Sequence, residues 1–186
     1  MAMTLAPRRY GGQVQRTPPF VRRPALISSV LAPVFFIGGT LVAEALSPGF
    51  DPVRQTISEL AAVDAPTQVF MTLMFVLTGV CHLITAGYTP GLWLPGRIAL
   101  ALWPVLSMRL GRQYPWLLRP AGAVLSTLVV GAACVAFAWI EAQPDATLVG
   151  LAERVAAYLE SAWPAVVVLV LWRHQRRERG ASLSAR

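Results

Sequence analysis

The stretch RRPALISSVLAPVFFIGGTLVAEAL, Arg22–Leu46, decides the fold. Two arginines and a proline lead into an apolar run, Ala25–Leu46, whose one ionisable group, Glu44, lies near its far end. At 1.5 Å per residue a helix over that run crosses the ~30 Å hydrocarbon core of a bilayer. Working outward, there are three more apolar runs: Thr67–Tyr88, Ala121–Ala142 and roughly Val155–Trp172. Each is long enough, or nearly so, to span, and each is flanked by arginine on one side only. The 186 residues contain no lysine. The chain therefore reads as an integral membrane protein whose orientation is set by arginine alone.

Composition agrees. A chain that is 55% hydrophobic and 13% charged has too little polar surface to dress a soluble globule. The net charge of +7 does not point to nucleic acid. The arginines sit in two tails and one loop beside apolar runs, where they act as topology anchors and as contacts to anionic lipid headgroups. Without lysine, Schiff-base chemistry and a P-loop lysine are excluded. Cys81 and Cys134 both fall inside apolar runs and read as small hydrophobes rather than a disulfide framework. Residues 1–24 are proline-rich and carry Arg8, Arg9, Arg16, Arg22 and Arg23, so a disordered basic cytoplasmic tail is expected there. Ala43-Glu44-Ala45 resembles a signal-cleavage site, but the preceding run exceeds the 7–15 residues of a signal h-region, which favours an uncleaved span.

With four crossings and the N-terminus inside, the inside arginines are five in the N-terminal tail, four between Tyr88 and Pro120, and five in the C-terminal tail, fourteen in all. Only Arg54 and Arg154 fall outside. That asymmetry predicts a multi-pass protein of the plasma membrane with both termini cytoplasmic. A fifth crossing through Gly91–Met108 would put nine arginines outside and seven inside. Its uninterrupted apolar part, Ile98–Met108, is short, contains Pro104 and comes after Arg97. We therefore expect a short proline-kinked re-entrant or interfacial segment, with a tilted fifth span as the alternative. Ala101–Leu106 before Arg109 echoes Ala162–Val167 before Arg173, a weak internal repeat. The expected architecture is an all-α polytopic bundle of four full spans over 25–172, with a basic cytoplasmic tail over 173–186.

The loop Phe50-Asp51-Pro52-Val53-Arg54-Gln55-Thr56-Ile57-Ser58-Glu59-Leu60 resembles the most recognisable stretch of a bacterial integral membrane family, domain of unknown function 998. Cys81–Ala86 and Gly150–Val155 support the resemblance, which extends over roughly Ala25–Arg173. It implies a bundle of about six spans with no established activity, common in high-GC actinobacteria. Gly96–Ala99 looks like the start of that family's third span, and Leu100–Ser107 like the end of its fourth. The resemblance thus implies a shortened member lacking an internal pair of half-spans.

The residues able to carry chemistry are Asp51, Arg54, Ser58, Glu59, His82, Glu153, Arg154 and Glu160. In the first loop Val53, Ile57 and Leu60 recur at helical spacing, so a short amphipathic helix is expected, with Asp51 as its cap and Pro52 at its first position. It reads either as a lid in which Arg54 meets an anionic group or as a plain interfacial helix. His82 reads as a packed histidine bonded by Thr78 or Thr85, or as a functional group in a span. A lone histidine without a carboxylate in its span is no metal site. Glu153 and Glu160, seven apart, share a helix face, and Glu160 is expected to need Arg154 or Arg54. A lid predicts Asp51 or Glu59 near Arg154, or Arg54 near Glu153 or Glu160.

No Gly-x-Ser-x-Gly, His-Glu-x-x-His or paired-cysteine motif occurs, and no cofactor is implied. The reading is an uncharacterised membrane component that binds lipid or a membrane-protein partner. One alternative is a small transporter with a polar site among Glu44, His82 and Glu160. Another is a membrane-embedded enzyme acting on a lipid-like substrate through Asp51, Glu59 and His82.

Overall fold

The computed structural model describes residues 21–89 and 115–184, and among these every regular element is helical. Among the described residues four helices are long and apolar enough to cross a membrane: α1 (Arg23–Leu46), α2 (Gln68–Tyr88), α3 (Pro120–Glu141) and α4 (Val149–Ser184). The chain is a membrane protein. Pro24 and Pro120 stand at the first turns of α1 and α3, where a missing N–H costs no helix bond. α4 outruns the expected Val155–Trp172 at both ends. Nothing in Val149–Arg154 or in the arginine-rich stretch after Trp172 breaks a helix, so the helix continues through Ser184. The basic tail expected from residue 173 is, over its described part, a continuation of α4.

Successive helices run antiparallel. α1 packs on α2 and on α4, and α4 packs on α3. One end of the bundle carries Arg22, Arg23, Arg119, Arg173, Arg176, Arg177 and Arg179; we call it the basic end. There Val21, Ala25, Leu118, Trp163, Val167, Val168 and Leu171 form a buried cluster. The opposite, acidic end carries Arg54 and Arg154 among Glu44, Asp51, Glu59, Asp64, Glu141, Asp145 and Glu153. Its core is Ala43, Ile57, Leu60 and Met71, with Phe36, Phe75 and Tyr158 around it. The outward faces stay apolar: Ile27, Leu41, Val69, Leu83, Leu128, Val135 and Trp139 are all more than half exposed, as lipid-facing side chains are.

Two features of α1 set up the site. Pro33 lacks the N–H that the carbonyl of Ser29 would receive, and the helix widens directly after it into a π-helical turn, Val34–Gly38. The wide turn rotates the remaining turns of α1, so that Thr40 and Ala43 face the bundle and Glu44 faces α4. Lower on the helix, the Ser28 and Thr85 hydroxyls meet at 2.8 Å and Thr78 bonds the Ala32 carbonyl, which joins α1 to α2 by polar contacts between small residues. The segment Gly91–Met108, the first half of the Trp-Pro echo and the missing half-spans lie outside the described residues.

Candidate functional site

The polar residues of the acidic end are organised by the first turns of α4. Gly150 is buried, and a Cβ there would lie 2.1 Å from the Gln55 carbonyl oxygen and 2.8 Å from that of Pro52. The loop backbone therefore rests directly on the helix, as only glycine permits. The Leu151 N–H, left without an intrahelical partner so near the helix start, donates to the Val53 carbonyl at 3.1 Å. Two positions on, the Glu153 carboxylate accepts from the Ile57 N–H and, at 3.0 Å, from the Ser58 hydroxyl.

Arg154 closes the arrangement. It is 7% exposed. Nε and Nη2 donate to Glu44 Oε1 at 2.8 and 2.6 Å, and Nη1 donates to the carbonyls of Gln55 and Gly150 at 2.9 and 2.8 Å. Four of its five N–H groups are thus engaged. The guanidinium also lies 5.5 Å from the centre of the Phe50 ring. One side chain ties together the end of α1, the loop and its own helix. A charge this deeply buried is tolerable because Glu44 neutralises it and two carbonyls complete its bonds.

The first loop is not the amphipathic helix expected from Val53, Ile57 and Leu60. It makes a turn at Asp51 and then a 3₁₀ turn, Ser58–Ala61. The Asp51 carboxylate accepts from the Val53 N–H at 2.9 Å, its carbonyl accepts from Arg54 and Gln55, and Gln55 Oε1 accepts from the Asp51 N–H. These local bonds compete with a continuous helix. Thr56-Ile57-Ser58-Glu59 then forms a capping box. The Thr56 N–H and hydroxyl donate to Glu59 Oε1, and the Glu59 N–H donates to the Thr56 hydroxyl at 3.3 Å. Ile57 and Leu60 are buried, but Val53 is exposed.

The two outer segments meet, though not through the expected pairs. Arg54 pairs with Asp51 at 3.7 Å in an exposed contact, and Glu59 is used by the capping box. Arg154 takes Glu44 instead of Asp51 or Glu59, and Glu153 takes the loop's N–H and hydroxyl instead of Arg54. Glu160 is exposed, six residues beyond Arg154, within electrostatic range of Cys134 on α3, and joins neither arginine. His82 receives no bond from its helix neighbours: Thr78 bonds Ala32, and Thr85 bonds Cys81 and Ser28. Its Nδ1 is buried without a hydrogen-bond partner among the described residues. His82 stands fourteen residues along α2 from Gln68, roughly 21 Å from the acidic end. Glu44, His82 and Glu160 therefore stand at different depths, and the structure does not bring Asp51, Glu59 and His82 together.

Sequence reasoning placed Arg154 and Glu153 at the site but not Glu44, Phe50, Gln55 or Gly150 as their partners. The Thr-x-x-Glu signal at Thr56 was present and would have moved the helical turn to its observed place. Among the described residues no cluster of three or more histidine, cysteine, aspartate or glutamate side chains could hold a metal.

No curated protein and no solved structure matches the chain. The first loop and Cys81–Ala86 lie within a segment that matches a family model, and Gly150–Val155 lies beyond it. Residues 30–111, a little under half of the chain, match the model of the family described as Protein of unknown function (DUF998), and that segment is similar to this family.

Proposed function

We propose that this protein is an accessory component of the plasma membrane that engages lipid or a neighbouring membrane protein, with both termini and the basic end in the cytoplasm. The observation that supports it most is the use of Arg154. A cation serving a substrate keeps donors vacant for it, whereas four of the five N–H groups of Arg154 hold α1, the loop and α4 together. The acidic end then works as a fixed cap. The arginines of the basic end stand at the level where anionic headgroups would meet them. Purification from a native membrane in mild detergent tests this reading. A stoichiometric lipid or one co-purifying membrane protein is expected, and a preparation carrying neither would contradict it.

A small transporter is the second reading, favoured by buried polar atoms within the helices. Thr127 Oγ1, Ser161 Oγ, Trp163 Nε1 and His82 Nδ1 have no hydrogen-bond partner among the described residues. Such atoms are costly unless something polar meets them. Solute flux in proteoliposomes that is lost in Ser161→Ala would establish this alternative over the first.

A further inference from the structure

We propose that the cleft between the start of α1 and the end of α4 binds one anionic phospholipid. Its phosphate is held by Arg23 and Arg176, and an acyl chain lies against Leu26, Ile27 and Trp172. This rests on the lipid-engaging reading above and gives it a site.

The cleft has a volume of about 640 Å³, within the roughly 300–1,000 Å³ usual for small-molecule sites. It is a fixed feature rather than a gap between loose ends. The Val21 N–H donates to Gln175 Oε1 at 3.0 Å, and Val21 and Ala25 pack with Val168 and Leu171 of α4 in one buried cluster. Arg23 contributes from α1, and Arg176 and Arg179 from α4. The Arg176 guanidinium lies 4.6 Å from the centre of the Trp172 ring. A guanidinium stacked on an aromatic face keeps its N–H edge for a planar or tetrahedral anion.

Among the described residues no carboxylate lines the cleft. Among the described residues the one acid at this end is Glu178, and it sits 3.2 Å from His174. Arg23 and Arg176 bring two like charges to one cleft, and a bound phosphate would meet both through charge-assisted hydrogen bonds. The residues before Val21 add Arg8, Arg9 and Arg16 and no acid.

A lipid fits better than a free anion because the cleft is apolar on its membrane side. Leu26 and Ile27 form part of its wall, Ile27 is 58% exposed, and the surface continues along α1 through Val30 and Leu31. Arginine at headgroup level above an apolar track between helices is the chemistry of a phospholipid.

The test uses the full-length protein in detergent and native mass spectrometry. Phosphatidylglycerol, phosphatidylcholine with the same acyl chains, and inorganic phosphate are titrated separately. One phosphatidylglycerol should bind at concentrations where phosphatidylcholine does not, and equimolar phosphate should not displace it. Arg23→Gln/Arg176→Gln should weaken binding tenfold or more, and Arg54→Gln at the other end should leave it unchanged. Melting in lipid-free detergent checks that the double variant folds. If it does not, Arg23→Gln alone, at an exposed position, should weaken binding at least threefold.

Equal binding of the two lipids, or unchanged binding in the arginine variants, would remove this site while leaving the lipid-engaging reading standing. Displacement by equimolar phosphate would make it a free-anion site and overturn the lipid assignment. Binding of neither lipid would sink the site and weaken the wider reading with it.

Discussion

Arg154 Nη2 and Glu44 Oε1 lie 2.6 Å apart, although their residues are 110 positions apart in sequence. The contact fastens the end of the first described helix to the start of the last. It also gives the first loop a charged floor, because the same guanidinium holds the Gln55 carbonyl.

The stability of the acidic end should depend on this pair. The side chains of Arg154 and Glu44 are 9% and 16% exposed, so removing one leaves a poorly solvated charge. Arg154→Gln should cost about 3–5 kcal/mol of unfolding free energy in mixed micelles. In a cycle of Glu44→Gln, Arg154→Gln and the double variant, the double variant should lose less than the two singles together, by about 1–3 kcal/mol. Additive losses would mean that the two side chains do not support each other.

Glycine substitution gives a steric comparison. Gly150→Ala drives a Cβ into the carbonyls of Gln55 and Pro52, so the loop must lift or the helix must shift, at a cost of about 1–3 kcal/mol. Gly79→Ala on α2 meets nothing within 4 Å and should be neutral or stabilising by about 0.5–1 kcal/mol. Equal melting temperatures for the two variants would show that the loop does not rest on α4.

Orientation is set by which end holds the arginines, and labelling reads it directly. With Cys81 and Cys134 replaced by alanine, single cysteines go in at Val63, which is 80% exposed, and at the exposed positions Asp145 and Ala181. A membrane-impermeant maleimide should label Val63→Cys and Asp145→Cys on intact cells, and Ala181→Cys only after lysis. The reverse pattern would overturn the proposed orientation.

The spans were legible in the sequence because hydropathy and helix length are local properties. The expected Ala25–Leu46 and Thr67–Tyr88 fall within two residues of the observed Arg23–Leu46 and Gln68–Tyr88. Hydropathy underestimates the last helix because it marks where the bilayer ends, whereas the helix itself runs on through the arginine-rich stretch to Ser184. The clamp was less legible. Arg154 and Glu153 stand out as charges beside an apolar run, but their partners are set by tertiary packing. The π-helical turn after Pro33 aims Glu44 at α4, and the missing side chain of Gly150 lets the loop backbone settle. Apolar spacing alone points to a loop helix, but the side-chain bonds of Asp51, Gln55 and Glu59 hold tight turns in its place.

Amide hydrogen exchange over residues 50–61, in wild type and in Arg154→Gln, tests the docked loop most directly. The Ile57 N–H is held by Glu153, and the Gln55 carbonyl is held by Arg154. In the wild type this segment should exchange as slowly as the first turns of α4 around Leu151, and in Arg154→Gln it should exchange at least tenfold faster while the middle of α2 is unchanged. Exchange in the wild type at the rate of an unstructured loop would contradict the account.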